Sequence, residues 1–306
     1  MSTSQSRHFS LQWLDQPKAW LSKLELFLPA DAAAAWRWHV SHHQLLTLAK
    51  RSEREVGLAV LWFAITLEKE TVMLGALLPG DRFAIAALVP RYRDELHRFL
   101  TTRTKIKSVM GNESTLLDFG ILPLQKRATI IERQTSWGKR LTTVAPAAKE
   151  SQRRAISITR RAGELDRPTL NRWAQIFSSE TRPDTEAEAI ATTVEVAEWV
   201  RRGRLLIFET DRPVAMAAFS GEFTDRDFGR SCRLSLVFVD PVYRGRGIGH
   251  EMMMAVENEA RLENVNALIL YSDPGNERAR RFYTDLEFTP SEDWLEVETG
   301  FNRELI

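Results

Sequence analysis

The chain has 306 residues, 43% of them hydrophobic and 27% charged, and a formal net charge of +1. That length can bury two cores of ordinary size, about 100 to 150 residues each, and a charge so near zero argues against a general nucleic-acid binder. Charge is unevenly spread, with 21 Lys and Arg against 14 Asp and Glu in residues 1–150 and 21 against 27 in the remainder, so the two halves should attract each other.

Met1–Ser10 is polar and lacks the apolar centre of a secretion signal. Next come Trp36, Trp38, His39, His42 and His43 on a segment that reads as a helix. His39 and His43 stand at i and i+4, a spacing that can hold zinc, but no third ligand is near. Imidazoles on a helix surface, and no metal, are expected. The early tryptophans are expected to cover a core or a subunit contact rather than stack on bases. Val56–Ile65 and Val72–Val89 are the longest apolar runs; the first is short and the second is broken by Asp81 and Arg82, so neither spans a bilayer. Cys232 is the single cysteine, which excludes an intrachain disulfide and suits a reducing compartment. A soluble, cytoplasmic protein with no membrane partner is the expectation.

Leu141–Arg154 has little periodicity and one proline, which places a domain boundary there and divides the chain into 1–145 and 146–306. Beyond it, a short strand at Ala155–Thr159 precedes an amphipathic helix, Pro168–Ser178, with Leu170, Trp173, Ile176 and Phe177 on one side. A second helix, Thr185–Arg202, is closed by Gly203. Strands Leu205–Glu209 and Val214–Ser220 flank the turn Asp211-Arg212-Pro213, and a polar excursion covers Gly221–Ser231. Strand Leu234–Val239, a helix from His250 to Glu263, strand Ala267–Tyr271, a helix from Asn276 to Leu286 and a last apolar strand at Trp294–Val297 complete the order.

Between the strand ending at Val239 and the helix starting near His250 lies Arg244-Gly245-Arg246-Gly247-Ile248-Gly249. Glycines at a strand-to-helix junction let backbone N–H groups turn toward an anion, and the helix dipole adds a positive field. Two arginines could neutralise a diphosphate. Downstream, Asn276-Glu277-Arg278-Ala279-Arg280-Arg281-Phe282-Tyr283 ends in Leu286-Glu287-Phe288. The two motifs, in this order and on these elements, resemble the GNAT superfamily of acetyl-coenzyme A dependent N-acetyltransferases, over residues 155 to 300. The resemblance implies an α/β fold with a mixed central sheet flanked by helices. The one departure is Glu287, where that family usually has glycine at a helix C-cap.

The resemblance also implies a chemistry. An amine attacks a thioester directly, which requires a neutral amine, a dipole for the developing oxyanion and a proton for the leaving thiolate. Residues expected at acetyl-coenzyme A are Val237, Phe238 and Val239 on the strand, Arg244 to Gly249 with His250 in the turn, and Asn276 and Phe282. The oxyanion donor is expected near Phe238 and Val239, where two strands splay, with the pantetheine arm lying in the gap like an added strand. Tyr283 is the expected proton donor, although Ala279, Phe282, Tyr283 and Leu286 equally fit the inward face of a helix. Asn276 could be no more than a helix N-cap. Strand Leu234–Val239 carries no carboxylate, which leaves Glu180 and Glu222 as candidate bases. The acceptor is a primary amine on a small molecule or a protein. The acidic stretches Thr181–Glu188 and Glu222–Asp227 could draw a cation.

Residues 56–120 echo the second half. Leu88-Val89-Pro90-Arg91-Tyr92-Arg93 parallels Val239-Asp240-Pro241-Val242-Tyr243-Arg244, and Gly111-Asn112-Glu113 parallels Gly275-Asn276-Glu277. A tandem protein with a degenerate, GNAT-like first domain follows. No glycine lies between Arg91 and Met110, and Phe119 stands where Tyr283 stands relative to its asparagine. Two other functions compete. A nucleotide-binding oxidoreductase could use Gly245-x-Gly247 and Asp273, but the third glycine position is His250 and only 57 residues follow Gly249. An acyl-coenzyme A sensor could keep the pocket without turnover.

Overall fold

The structure, a computed structural model, describes residues 9–53, 60–101, 106–121, 129–141, 159–181 and 186–298. The expected boundary segment Leu141–Arg154, apart from Leu141, and the expected strand Ala155–Thr159, apart from Thr159, lie outside them. The chain forms two compact units, the first made of Met1–Trp137, Tyr271–Arg280 and Pro290–Ile306, the second of Gly138–Leu270 and Arg281–Thr289. In this division the C-terminal strand belongs with the first unit.

In the first unit, β1 (Phe9–Leu14), β2 (Leu61–Leu67), β3 (Glu70–Leu78) and β4 (Arg82–Leu88) pair antiparallel in sequence. β4 then pairs in parallel with β5 (Ser108–Asn112). β12 (Thr289–Glu298) adds to the far side of β5, with Trp294 opposite Asn112 and Glu298 opposite Ser108, and β6 (Thr129–Arg140) follows it. Register there is marked by a buried charge: Glu296 accepts from Arg82 at 2.6 and 3.0 Å and from the Ser108 hydroxyl at 2.5 Å. Among the described residues, the unit's α-helices are α1 (Pro17–Leu24), α2 (Ala32–Ser52), α3 (Arg93–Thr101) and α4 (Glu113–Phe119). Helix α2 starts where Asp31 accepts the Ala34 amide at 2.8 Å, continues through four alanines and ends on Lys50 and Arg51, all favourable to a helix.

The histidines of α2 are a correction to the surface placement expected for them. His39, His42 and His43 are all buried. His42 stacks on Trp38 at 4.1 Å, and its Nδ1 lies 2.9 Å from the Trp38 carbonyl. Aromatic neighbours on both sides of the helix surface make an uncharged imidazole an acceptable core ring, and burial pushes His42 down to about 4.

The second unit holds β7 (Thr159–Arg161), α5 (Arg167–Thr181), α6 (Glu186–Arg201), β8 (Leu205–Glu209), β9 (Pro213–Asp225), β10 (Gly229–Val239), α7 (Ile248–Leu262), β11 (Ala267–Ser272) up to Leu270, and α8 (Glu277–Asp285) from Arg281 on. Strand order is β11-β10-β9-β8-β7, and of these four described pairs only β10 and β11 run parallel. That pattern removes the oxidoreductase reading, which needs a doubly wound parallel sheet. The expected polar excursion at Gly221–Ser231 is a hairpin in which β9 and β10 stay paired out to Asp225 and Gly229. Its alternating polar side chains suit a strand with one wet face. One core joins Leu170, Trp173 and Ala174 of α5 to Ile207, Met216 and Phe238 of the sheet. Cys232 is buried, and burial pushes its thiol up to about 12, as a packing side chain requires.

Candidate active site

β10 builds the site through where its pairing stops. Ser231, Cys232 and Arg233 pair with Ala267, Leu268 and Ile269 of β11. From Leu234 to Val239 that edge of the strand has no partner strand among the described residues. On its other edge β10 stays with β9 but carries an extra residue, since Ser235 faces Ala218 and Phe238 faces Met216. Leu236 absorbs this bulge at φ 54°, a left-handed conformation costing a leucine about 1–2 kcal/mol. Strain of that kind persists where the surroundings impose it, and here it redirects the backbone at Val237 and Phe238 beside the gap.

Past Val239 the chain makes a 3-10 turn, Pro241–Tyr243, and enters the glycine loop. Gly245 and Gly247 have φ 77° and 80°, and Gly247 is the N-cap of α7. Side chains rarely adopt this backbone, which is why glycine stands at both. Among the described residues, no acceptor within the chain takes the amides of Gly245, Arg246, Gly247, Ile248 or Gly249. Five neighbouring donors at a helix N-terminus suit an anion such as a diphosphate. Gly249 is glycine for a different reason: a Cβ there would meet the Phe282 ring at 3.2 Å. His250 meets the same ring edge-on, with centroids 5.0 Å apart.

Phe282 thus closes the turn from α8, and Tyr283 lies next to it, with ring centroids 5.3 Å apart. Tyr283 is half-buried, and burial pushes its phenol up to about 12. The helix ends with the Phe288 amide on the Tyr283 carbonyl at 3.0 Å and Glu287 at φ 64°. Glu287 therefore occupies the left-handed position that a glycine would fill without strain. Asn276 is exposed and accepts the Ala279 amide at 3.0 Å, which is the N-cap geometry.

The two carboxylates proposed as bases are placed differently. Glu180 ends α5 and accepts from Arg244 through both oxygens, at 2.9 and 2.8 Å. Glu222 bonds Arg204 and Arg230, with Arg230 at 2.6 Å. It lies six residues along β9 from Met216, the partner of Phe238, which is roughly 20 Å at strand spacing. Glu222 is therefore not brought together with Phe238. Asp225, in the same hairpin, is also engaged within it, accepting from the Asp227 and Phe228 amides. Most of Thr181–Glu188 lies outside the described side chains.

Sequence reasoning missed the Arg244–Glu180 pair and the Leu236 bulge. No glycine marks the bulge, and nothing local signals a pair 64 residues apart.

Residues 170–288 match the sequence model of the Acetyltransferase (GNAT) family. No curated protein sequence matches the chain. Among solved structures, an acetyltransferase from the GNAT family of Colwellia psychrerythraea superposes on 94% of this chain and 99% of its own, with a TM-score of 0.56 at 13% identity. A Drosophila protein does so over 95% and 99%, with a TM-score of 0.53 at 14% identity. A GCN5-related glucosamine N-acetyltransferase region of a fungal multi-domain GH3 β-N-acetylglucosaminidase covers 97% of this chain but only 39% of its own, with a TM-score of 0.52 at 12% identity. At such identities the structural likeness is one of fold. With a mixed sheet, a splayed parallel pair and a glycine loop at the helix that follows, the chain carries, at residues 170–288, a domain of the Acetyltransferase (GNAT) family.

Proposed function

We propose that the second unit is an N-acetyltransferase that moves an acetyl group from acetyl-coenzyme A to a primary amine by direct attack. The observation that supports it most is the row of five unclaimed amides, Gly245 to Gly249, at the mouth of a strand pair that separates after three residues. In this reading the amides hold the diphosphate, and the unpaired edge of Leu234 to Val239 receives the pantetheine arm as a strand would. The amine nitrogen bonds to the thioester carbon, and the oxyanion faces a backbone donor near Phe238 and Val239. The C–S bond then breaks, and Tyr283 gives its proton to the thiolate. A phenol with a pKa near 12 is protonated throughout the neutral range, so the donor is always charged with its proton. The nitrogen's surplus proton leaves to water, since Glu180 and Glu222 are both occupied by guanidinium groups.

Among the described residues no helix is long and apolar enough to cross a membrane, and a cytoplasmic site with small-molecule or protein amines as acceptors fits this reading. The test is titration calorimetry with acetyl-coenzyme A, followed by a screen of primary amines for thiol release. Binding with amine-dependent release is expected. Binding without release for any amine would favour a coenzyme sensor, and no binding would end the proposal.

A further inference from the structure

The two arginines of the glycine loop have different employment. Arg244 is spent inside the protein: Nε donates to the Val239 carbonyl at 2.9 Å, and both terminal nitrogens donate to Glu180. Its guanidinium also lies over the Phe238 ring, 5.3 Å from the centroid. Arg246 is exposed, lies over the Tyr243 ring at 5.4 Å and has no carboxylate partner among the described residues. Glu180 does not act alone. Two helical turns earlier on the same face of α5, Trp173 packs on Phe238 with ring centroids 5.8 Å apart and donates from Nε1 to Asp240 at 3.1 Å. Helix α5 is thus joined to the end of β10 at two successive levels, one aromatic and one ionic.

We propose that Glu180 and Arg244 form a clamp that fixes the last turn of α5 against the end of β10, and that Arg246 alone among these side chains pairs with an anion held by the loop. This rests on the loop being the coenzyme site. Glu180 is then a positioning residue rather than a base, and Arg244 contributes geometry rather than charge to the ligand. A bidentate carboxylate on a part-buried guanidinium gives both directionality and neutralisation, which leaves little field for a phosphate.

Coenzyme A is the probe. Its affinity is measured by calorimetry at about 50 and 300 mM salt, across a range over which exposed charges become screened, for Glu180→Gln, Arg244→Gln and Arg246→Gln. Arg246→Gln should bind about tenfold more weakly, the worth of one charge-assisted hydrogen bond, with a flatter salt dependence. Glu180→Gln and Arg244→Gln should stay within about twofold of wild type and keep its salt dependence, because no ligand contact is removed. Both should lower the melting temperature, the double variant no further than Arg244→Gln alone, which also loses the Val239 and Phe238 contacts, and the charge-swapped pair Glu180→Arg with Arg244→Glu should recover part of the loss. Tighter binding by Glu180→Gln, or a flattened salt dependence in Arg244→Gln, would make Arg244 a phosphate ligand and overturn the clamp. Should wild type bind no coenzyme A, the transferase reading fails, while the stability cycle still decides the clamp: additive losses would refute it.

Discussion

In the first unit, β4 meets β5 in parallel at Arg82, Phe83 and Ala84, and in the second, β10 meets β11 at Ser231, Cys232 and Arg233. β4 and β10 each also carry an extra residue against their antiparallel neighbour, between Ile85 and Ala87 in β4 and between Ser235 and Phe238 in β10. Each runs into a 3-10 turn, Pro90–Tyr92 or Pro241–Tyr243. Each parallel partner leads to a helix capped by asparagine, Asn112 on the Thr115 amide and Asn276 on the Ala279 amide. The courses part after the 3-10 turn. Tyr92 is followed at once by helix α3, whereas Arg244 to Gly247 intervene before α7. Leu116 and Phe119 of α4 are buried in one core with Ile85, while α8 has no buried residue. A scaffold of this kind opens a gap between its parallel strands. Filling the gap with apolar side chains gives a stable domain; leaving it open, with free amides at its mouth, gives a site. We read the first unit as a GNAT-like domain that has lost its site by taking the first course.

The comparison can be broken at several points. Gly247→Val puts a β-branched side chain at φ 80° and should make the second loop as unfit for an anion as the first. Coenzyme affinity should fall by about 100-fold or more with the fold retained by circular dichroism; binding within a few-fold of wild type would mean that the loop is not the site. Acid should discriminate the units next. His42 has a neutral, buried imidazole lowered to about 4 from 6.5, so its contribution is complete above pH 6.5 and drains away as pH falls toward 4. At about 1.4 kcal/mol per unit, the loss across that window is about 3 kcal/mol. Urea unfolding against pH should show this slope and His42→Gln should flatten it.

Tyr283→Phe copies Phe119 into the second unit. Turnover should drop about tenfold or more while coenzyme affinity holds, the signature of a proton donor that acts only as the thiolate leaves. Unchanged turnover would return Tyr283 to a packing role. The smallest change is Glu287→Gly, which restores the residue that α4 has in Gly120 at φ 82°. Relief of the left-handed strain should raise stability by about 1 kcal/mol, read as a higher denaturation midpoint with activity unaltered.

Much of this was legible in the chain. The glycine loop and the Asn276–Phe288 segment are local signals, since each records what one turn of backbone must do, and they lead to the fold, to the elements of 160–288 and to the loop. Three features were not legible. His39, His42 and His43 look polar by type, yet their fate depends on Trp38 and Trp294, the latter meeting His42 edge-on at 6.1 Å from the far end of the chain. Glu222 looked like a free acid because Arg204 and Arg230 reach it only when the hairpin is formed. Trp294–Val297 reads correctly as a strand, but periodicity cannot say which strand it will lie beside.

That last pairing constrains how the molecule can be made. β5 is synthesised near residue 110, yet its second neighbour, β12, follows some 180 residues later. Until then a row of main-chain donors and acceptors beside Val109 and Met110 stands without its native partner on the nascent polypeptide, an invitation to mispairing between neighbouring ribosomes' products. Separate expression of the leading 145 residues would make that exposure permanent. A productive split therefore needs the tail grafted back after Asn112's helix, so that what is read last from the message is supplied first to the sheet.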